Sequence, residues 1–308
     1  MFTHLHVHSH YSILQAIGTP TDYIKKAKAL GMSALALTDS DGMYGCIEHY
    51  KSCKKQGIKP LLGVELTLVQ DYQQKTQLDH PQRIVLLAKN YQGYQSLLQL
   101  TSHANLEGWQ GQARVDRTLL QTHADHLIVI ISGLQSLISY DINHQPALLD
   151  EHIKKLMQIF GADHVLCSLL VGYPDKDPAI TRYNQTILNI STRYGLPLIC
   201  SPNVHMIDAE QKSAYEIFLC IKDNKRVYDT DKPKIDQPIW LMSEHEIKTI
   251  LIQQGYDSSI IERMINQTNT LADQIDITIP METILFPSYQ SSDEIKNLYE
   301  QYRKNYQS

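Results

Sequence analysis

Four histidines alternate near the start of the chain, His4, His6, His8 and His10, within the run HLHVHSHYS. In an extended segment, side chains two apart point to the same face. The imidazoles would therefore line one face, with Leu5 and Val7 packing on the other. An HxH pair, roughly 7 Å apart at Cα, can converge on one zinc-type ion at about 2.0–2.1 Å from each nitrogen. Two histidines do not make a site, because adequate binding needs three or more convergent ligands. Taken alone, the HxH reads as hydrogen-bonded strand histidines. Further donors stand at other strand ends: Asp39 closes SALALTD, Glu65 lies in LLGVELTLV, and His205 follows LICSPN. Asp39 and Glu65 could each cap a helix or accept backbone hydrogen bonds. Taken together, these residues favour a metal site.

Such a site needs elements that bring distant residues to one rim. The sequence supplies short β-type runs alternating with amphipathic helical ones, the pattern of βα units around a parallel sheet. THLHVH reads as a strand. PTDYIKKAKALG reads as a helix that opens on proline and closes on glycine, and SALALTD as a second strand. A helix over MYGCIEHYKSCKKQG and a strand over IKPLLGVELTLV follow, then a polar loop over 71–82. The strand RIVLLAKN comes next, then a helix around 94–105, a connecting segment and the strand DHLIVIISG. After them come a helix over 146–160, the strand ADHVLCSLLV, a helix over 180–194, the strand LPLICSP and a helix over 208–221. Six or seven strands result. No GxGxxG follows the first strand, so an open nucleotide-binding sheet loses its best support and a closed or nearly closed barrel is favoured. Barrel enzymes place their sites at the C-terminal ends of the strands, where these residues fall.

From Val227 the pattern changes to a charged loop and then to helices over 243–254 and 258–275. The boundary is expected there, with a barrel over 1–226 and a helical extension over 227–308. The final segment, IPMETILFPSYQSSDEIKNLYEQYRKNYQS, joins two prolines to a polar helical tail and reads as a connection.

Composition narrows the class. The 308 residues are 43% hydrophobic, enough for one large core, since α/β barrels commonly use about 250 residues. The N-terminus lacks the basic start and apolar run of a signal peptide, and no apolar stretch is long enough to span a bilayer, so a cytoplasmic address and no membrane contact are expected. Five widely spaced cysteines without a CxxC pair read as buried thiols, not as disulfides or a cysteine zinc knot. A formal charge of −5 argues against a surface that holds duplex DNA by neutralising many phosphates. The lysines over 25–28 and 51–55 read as solvated helix faces, with local DNA contact as the alternative.

Five strings, HLHVHSHYS, ALALTDSDGMYG, KKQGIKPLLGVEL, IVLLAKNYQGYQSLLQL and LPLICSPNVHMID, resemble in this order the motifs of the polymerase and histidinol phosphatase (PHP) domain of bacterial DNA polymerase III alpha subunits. GIKPLLGVE is wording of the replicative-polymerase branch, and the later helices with ILFPSY resemble the passage into the polymerase body. The resemblance implies a distorted TIM-like (β/α)7 PHP barrel followed by a C-terminal helical extension. In active members a cluster of histidines and carboxylates holds a trinuclear zinc-type phosphoesterase centre, and His6, His8, Glu65 and His205 match that pattern. Gln15, Ser40, Arg83, Leu134 and Asn203 depart from it, and His10 or Asp39 could complete the shell of one ion.

The resemblance therefore implies a structural module with a degenerate metal site, zinc or manganese being the ions expected at partial occupancy. Its expected partners are the remainder of the alpha subunit, the proofreading exonuclease subunit, and DNA through the full-length protein. The parent is expected to be a DNA-directed DNA polymerase whose magnesium-dependent active site lies outside this chain. The alternatives are a metal-dependent 3′–5′ exonuclease or phosphoesterase and a histidinol phosphatase-like enzyme.

Overall fold

The computed structural model describes residues 2–74, 82–281 and 292–306. The ILFPSY string and 75–81 of the expected polar loop lie outside these residues. Residues Met1–Ile277 pack as one compact unit and Thr278–Ser308 form a second.

The first unit begins with an extended segment over 2–8 and continues through α1 (Pro20–Ala29), β1 (Ala34–Leu37), α2 (Cys46–Gln56), β2 (Lys59–Val69) and β3 (Gln82–Ala88). Next come α3 (Tyr91–Leu106), β4 (Arg114–Asp116), α4 (Arg117–His123), β5 (Leu127–Ile131), α5 (Leu137–His144), α6 (Leu149–Phe160) and β6 (Val165–Leu169). It ends with α7 (Ala179–Tyr194), β7 (Leu198–Cys200), α8 (Lys212–Lys222), α9 (Glu244–Gln253) and α10 (Ser258–Gln274). The second unit holds α11 (Asp293–Tyr306). Local chemistry sets several limits. Thr19 accepts the Asp22 N–H in front of Pro20, and Gly57 ends α2 in the left-handed region at φ +71°. Ser243 and Glu246 form a reciprocal capping box at the start of α9.

The sheet runs β1-β2-β3-β5-β6-β7, with β4 paired to β2 off that path. β1 is parallel to β2, and β5, β6 and β7 are mutually parallel. β3 runs antiparallel to both β2 and β5, an exception to the expected parallel sheet. Antiparallel neighbours such as β2 and β3 do not require the crossover that parallel pairing does. β4, α4 and α5 were not expected from the sequence; the first two fall in the segment read as a connection.

The histidine run is a correction. Residues 4–8 form no regular strand, yet they close the sheet. Ala36 and Thr38 donate to the carbonyls of His4 and Val7 at 3.0 and 2.8 Å, and on the other side His8 and Val204 exchange bonds with Val204 and His6 at 2.8 and 3.0 Å. The Val7 N–H turns instead to the Thr38 hydroxyl at 2.9 Å, which interrupts the ladder. The segment thus bridges β7 and β1, and the architecture is the expected distorted TIM-like barrel. Leu5 and Val7 are fully buried, and Val7 packs with Tyr23, Ile24, Leu35 and Val204. All five cysteines are buried and free, as their spacing indicates. No described helix is long and apolar enough to cross a membrane.

Candidate metal centre

His6 and His8 come from the closing segment, Glu65 from the middle of β2, and His205 from the turn after β7. The first three converge. Each offers one ligand atom within 4.8 Å of the others, and among the described residues no other group of three histidine, cysteine or acidic side chains does so. His6 Nε2 lies 3.0 Å from His8 Nε2 and 3.3 Å from Glu65 Oε1. Ligands of a tetrahedral zinc-type ion lie about 3.3–3.4 Å apart when each is about 2.0–2.1 Å from the metal, so these three donors fit one ion. All three side chains are buried.

The network around His8 sets its tautomer. Ser12 Oγ donates to Asp39 Oδ1 at 2.7 Å and accepts the Ser40 N–H at 3.0 Å. It lies 3.2 Å from His8 Nδ1, which is left to donate to it, turning the lone pair of His8 Nε2 towards His6. His205 is oriented in the same manner, with Nδ1–H donating to the Gln15 carbonyl at 2.9 Å. Tyr215 donates its hydroxyl to the same carbonyl. The His205 ring stacks on His8 at 4.5 Å between centroids and 11° between planes. His205 therefore stands beside the three-residue group without belonging to it.

The remaining sequence candidates are placed differently. His10 is exposed, donates from Nδ1 to the Gly18 carbonyl and packs on Tyr11. Asp39 is buried and taken up by the Ser9 N–H at 2.6 Å, the Ser9 hydroxyl at 2.9 and 3.1 Å, and Ser12. It acts on His8 through Ser12. Gln15, Ser40, Arg83, Leu134 and Asn203, the five positions at which the resemblance implies a departure, lie around this group. Gln15, Arg83, Leu134 and Asn203 line one cleft of about 370 Å³ with His6, Glu65 and His205. Ser40 bonds the Gln15 amide oxygen at 3.0 Å and Glu65 Oε2 at 3.1 Å.

Charge is arranged around Glu65. Burial alone would raise its carboxyl, but the hydrogen bond from His6 and the positive charge of Arg83 outweigh burial and hold it well below the usual carboxylate range. Burial, with His205 alongside, pushes His8 well below the usual imidazole value, and burial pushes His205 down to about 4. Arg83 places Nη1 2.7 Å from Asp41 Oδ1 and Nε 3.8 Å from Glu65 Oε2. Burial opposes its charge, but the two carboxylates win and raise its pKa. Asp41, Ser12 and Tyr215 were not singled out in the sequence. The DSDG run is a signal for Asp41, whereas Ser12 and Tyr215 reach the site from segments that carry none.

The PHP domain family matches residues 4–169. The DNA polymerase III subunit alpha of Treponema pallidum is 30% identical over 301 residues, covering 96% of this chain and 25% of that protein. That of Borreliella burgdorferi is 30% identical over 306 residues, covering 97% of this chain and 26% of that protein. The chain thus spans about a quarter of the length of these curated relatives. Among solved structures, an amidohydrolase from Chromobacterium violaceum aligns with a TM-score of 0.42 at 15% identity, over 81% of this chain and 97% of that chain.

Proposed function

Because this chain belongs to the PHP domain family, we propose that it serves as the PHP barrel of a DNA polymerase III alpha subunit and works as a structural module, not as a phosphoesterase. The observation that carries this reading is the make-up of the cleft. Three ligands, His6, His8 and Glu65, converge beside it, His205 is the further histidine of its lining, and Gln15, Arg83, Leu134 and Asn203 add neither a histidine nor a carboxylate. Phosphodiester hydrolysis by a multi-ion centre uses neighbouring ions to stabilise the attacking and leaving oxygens together. Three protein ligands suit one ion.

His6, His8 and Glu65 would hold that ion, zinc or manganese by donor type, and when bound it would polarise a phosphate oxygen. The chain's own contribution is orientation: Ser12 and the Gln15 carbonyl fix the His8 and His205 tautomers, and Ser40 steadies Glu65. Under this reading the barrel over 1–226 and the extension over 227–308 support the remaining polymerase chain. Docking of the proofreading exonuclease follows from the family resemblance, and nucleotidyl transfer on DNA with magnesium belongs to the part of the relatives outside this chain.

A second reading, a metal-dependent 3′–5′ exonuclease or phosphoesterase, draws support from the same three converging ligands with His205 stacked beside them. Elemental analysis of protein purified without chelator or metal-affinity tag, paired with a nuclease assay on single-stranded DNA in added manganese or zinc, separates the two. We expect no more than one ion per chain and no hydrolysis. Two or three tightly held ions, with cleavage abolished by Glu65→Gln, would replace the structural reading with the enzymatic one.

A further inference from the structure

We infer that Arg83 is a built-in cation of the cleft, holding by its charge the place of a further divalent ion and so restricting the His6–His8–Glu65 group to one weakly held ion, an assignment that rests on the structural reading proposed above. Arg83 sits in β3 opposite Thr67 of β2, and its N–H donates to the Gln135 carbonyl at 2.7 Å. Its side chain is 8% exposed, so the guanidinium is held in the wall and does not sweep through solvent. Arginine stays charged in proteins, and a buried one needs carboxylate partners.

Those partners come from two elements. Asp41, in the loop between β1 and α2, gives Oδ1 to Arg83 Nη1 at 2.7 Å. Its backbone is clamped as well: its N–H donates to the Glu65 carbonyl at 2.9 Å, its own carbonyl accepts from the Asn105 amide at 2.8 Å, and its φ of +67° lies in the left-handed region. Glu65 divides its oxygens. Oε1 faces His6 at 3.3 Å, while Oε2 accepts from Ser40 and lies 3.8 Å from Arg83 Nε. An ion on the His6 side meets a carboxylate oxygen. An ion on the Oε2 side meets a fixed positive charge.

The local charge follows. Glu65 and Asp41 carry two negative charges and Arg83 one positive, which leaves one net negative charge to attract a cation. Removing the guanidinium charge leaves two, frees Asp41 Oδ1 and leaves Glu65 Oε2 held by Ser40 alone. Neutralising Asp41 leaves none. The two substitutions should therefore move metal affinity in opposite directions, which a merely structural role for either residue does not predict.

Calorimetric titration with Zn²⁺ alone, with bound stoichiometry and the melting temperature with and without the ion, tests this on the full chain. Arg83→Gln should bind Zn²⁺ about tenfold more tightly than wild type or take up one further ion, and gain thermal stability when it does. Asp41→Asn should bind about threefold or more weakly. A folded Arg83→Gln protein with wild-type affinity and stoichiometry overturns the assignment. So does equal or tighter binding by Asp41→Asn, equal absence of binding in it and in wild type included, and this arm decides alone if Arg83→Gln does not fold. Wild type holding two or three ions defeats the structural reading itself, whereas one ion in wild type with an unresponsive Arg83→Gln defeats only the role of Arg83.

Discussion

Asp39 and Glu65 show how one residue type divides its work according to what surrounds it. Both are buried carboxylates at the barrel mouth, and both have the composition of a metal ligand. Glu65 is left with an oxygen facing His6, while Asp39 spends its oxygens on Ser9 and Ser12. Burial raises the Asp39 carboxyl against the pull of those bonds. Replacing it by asparagine puts a donor where an acceptor is required, and a buried hydrogen bond to a charged group contributes about 1.5–3 kcal/mol. Asp39→Asn should therefore lower the melting temperature by several degrees, and should weaken any metal held by His8 about 10- to 100-fold through the loss of Ser12 orientation. Scanning calorimetry with metal titration checks both, and an unchanged melting temperature would remove Asp39 from the network.

Among the elements, α2 carries the clearest pH signature away from the cleft. His49 is fully buried, donates Nε2–H to the Leu35 carbonyl of β1 at 3.0 Å, and leaves Nδ1 without a hydrogen-bond partner. Burial pushes its pKa down to about 4 from an ordinary value near 6.5. Between those values the unfolded chain binds a proton that the folded chain refuses, so stability falls as pH drops through the window, by up to about 1.4 kcal/mol per pH unit. Between pH 6.5 and 5.5 wild type should lose about 1 kcal/mol more than His49→Leu, read from urea midpoints. Equal losses in the two proteins would mean that the imidazole is hydrated and the contact between α2 and β1 looser than described.

At the scale of the whole molecule, the barrel is closed by residues that form no regular strand. His8, Ala36, Thr38 and Val204 place their N–H groups across the junction between β7 and β1. If the junction opens only when the barrel unfolds, these amides should exchange hydrogen as slowly as those of Val64 and Leu86, which face one another in β2 and β3. Exchange faster by orders of magnitude would make the histidine segment a detachable arm, and the site would then form and dissolve with it. That outcome bears on the proposed structural role as well, because a module that supported a larger chain would need its closure to hold.

Local rules were enough for much of this. The alternation of His4, His6, His8 and His10, the threonine and proline before α1, the glycine after α2 and the apolar runs of β1, β5, β6 and β7 follow from side-chain periodicity and capping, which act within a few residues. They make the barrel class and the His6–His8 pair legible from the amino acids alone, whereas His4 turns to the Met242 carbonyl and His10 to the Gly18 carbonyl instead of joining that pair. The direction of β3, the short β4 with α4, and the irregular hydrogen bonding of residues 4–8 depend on which distant backbone groups are free to pair, and no short window records that. The same holds for the site. That Glu65 and not Asp39 faces the histidines, that Arg83 binds Asp41, and that His205 stacks on His8 without joining its ligand group were decided when segments dozens to two hundred residues apart were folded to one rim, because a buried charge settles on whichever partner the packing brings within reach.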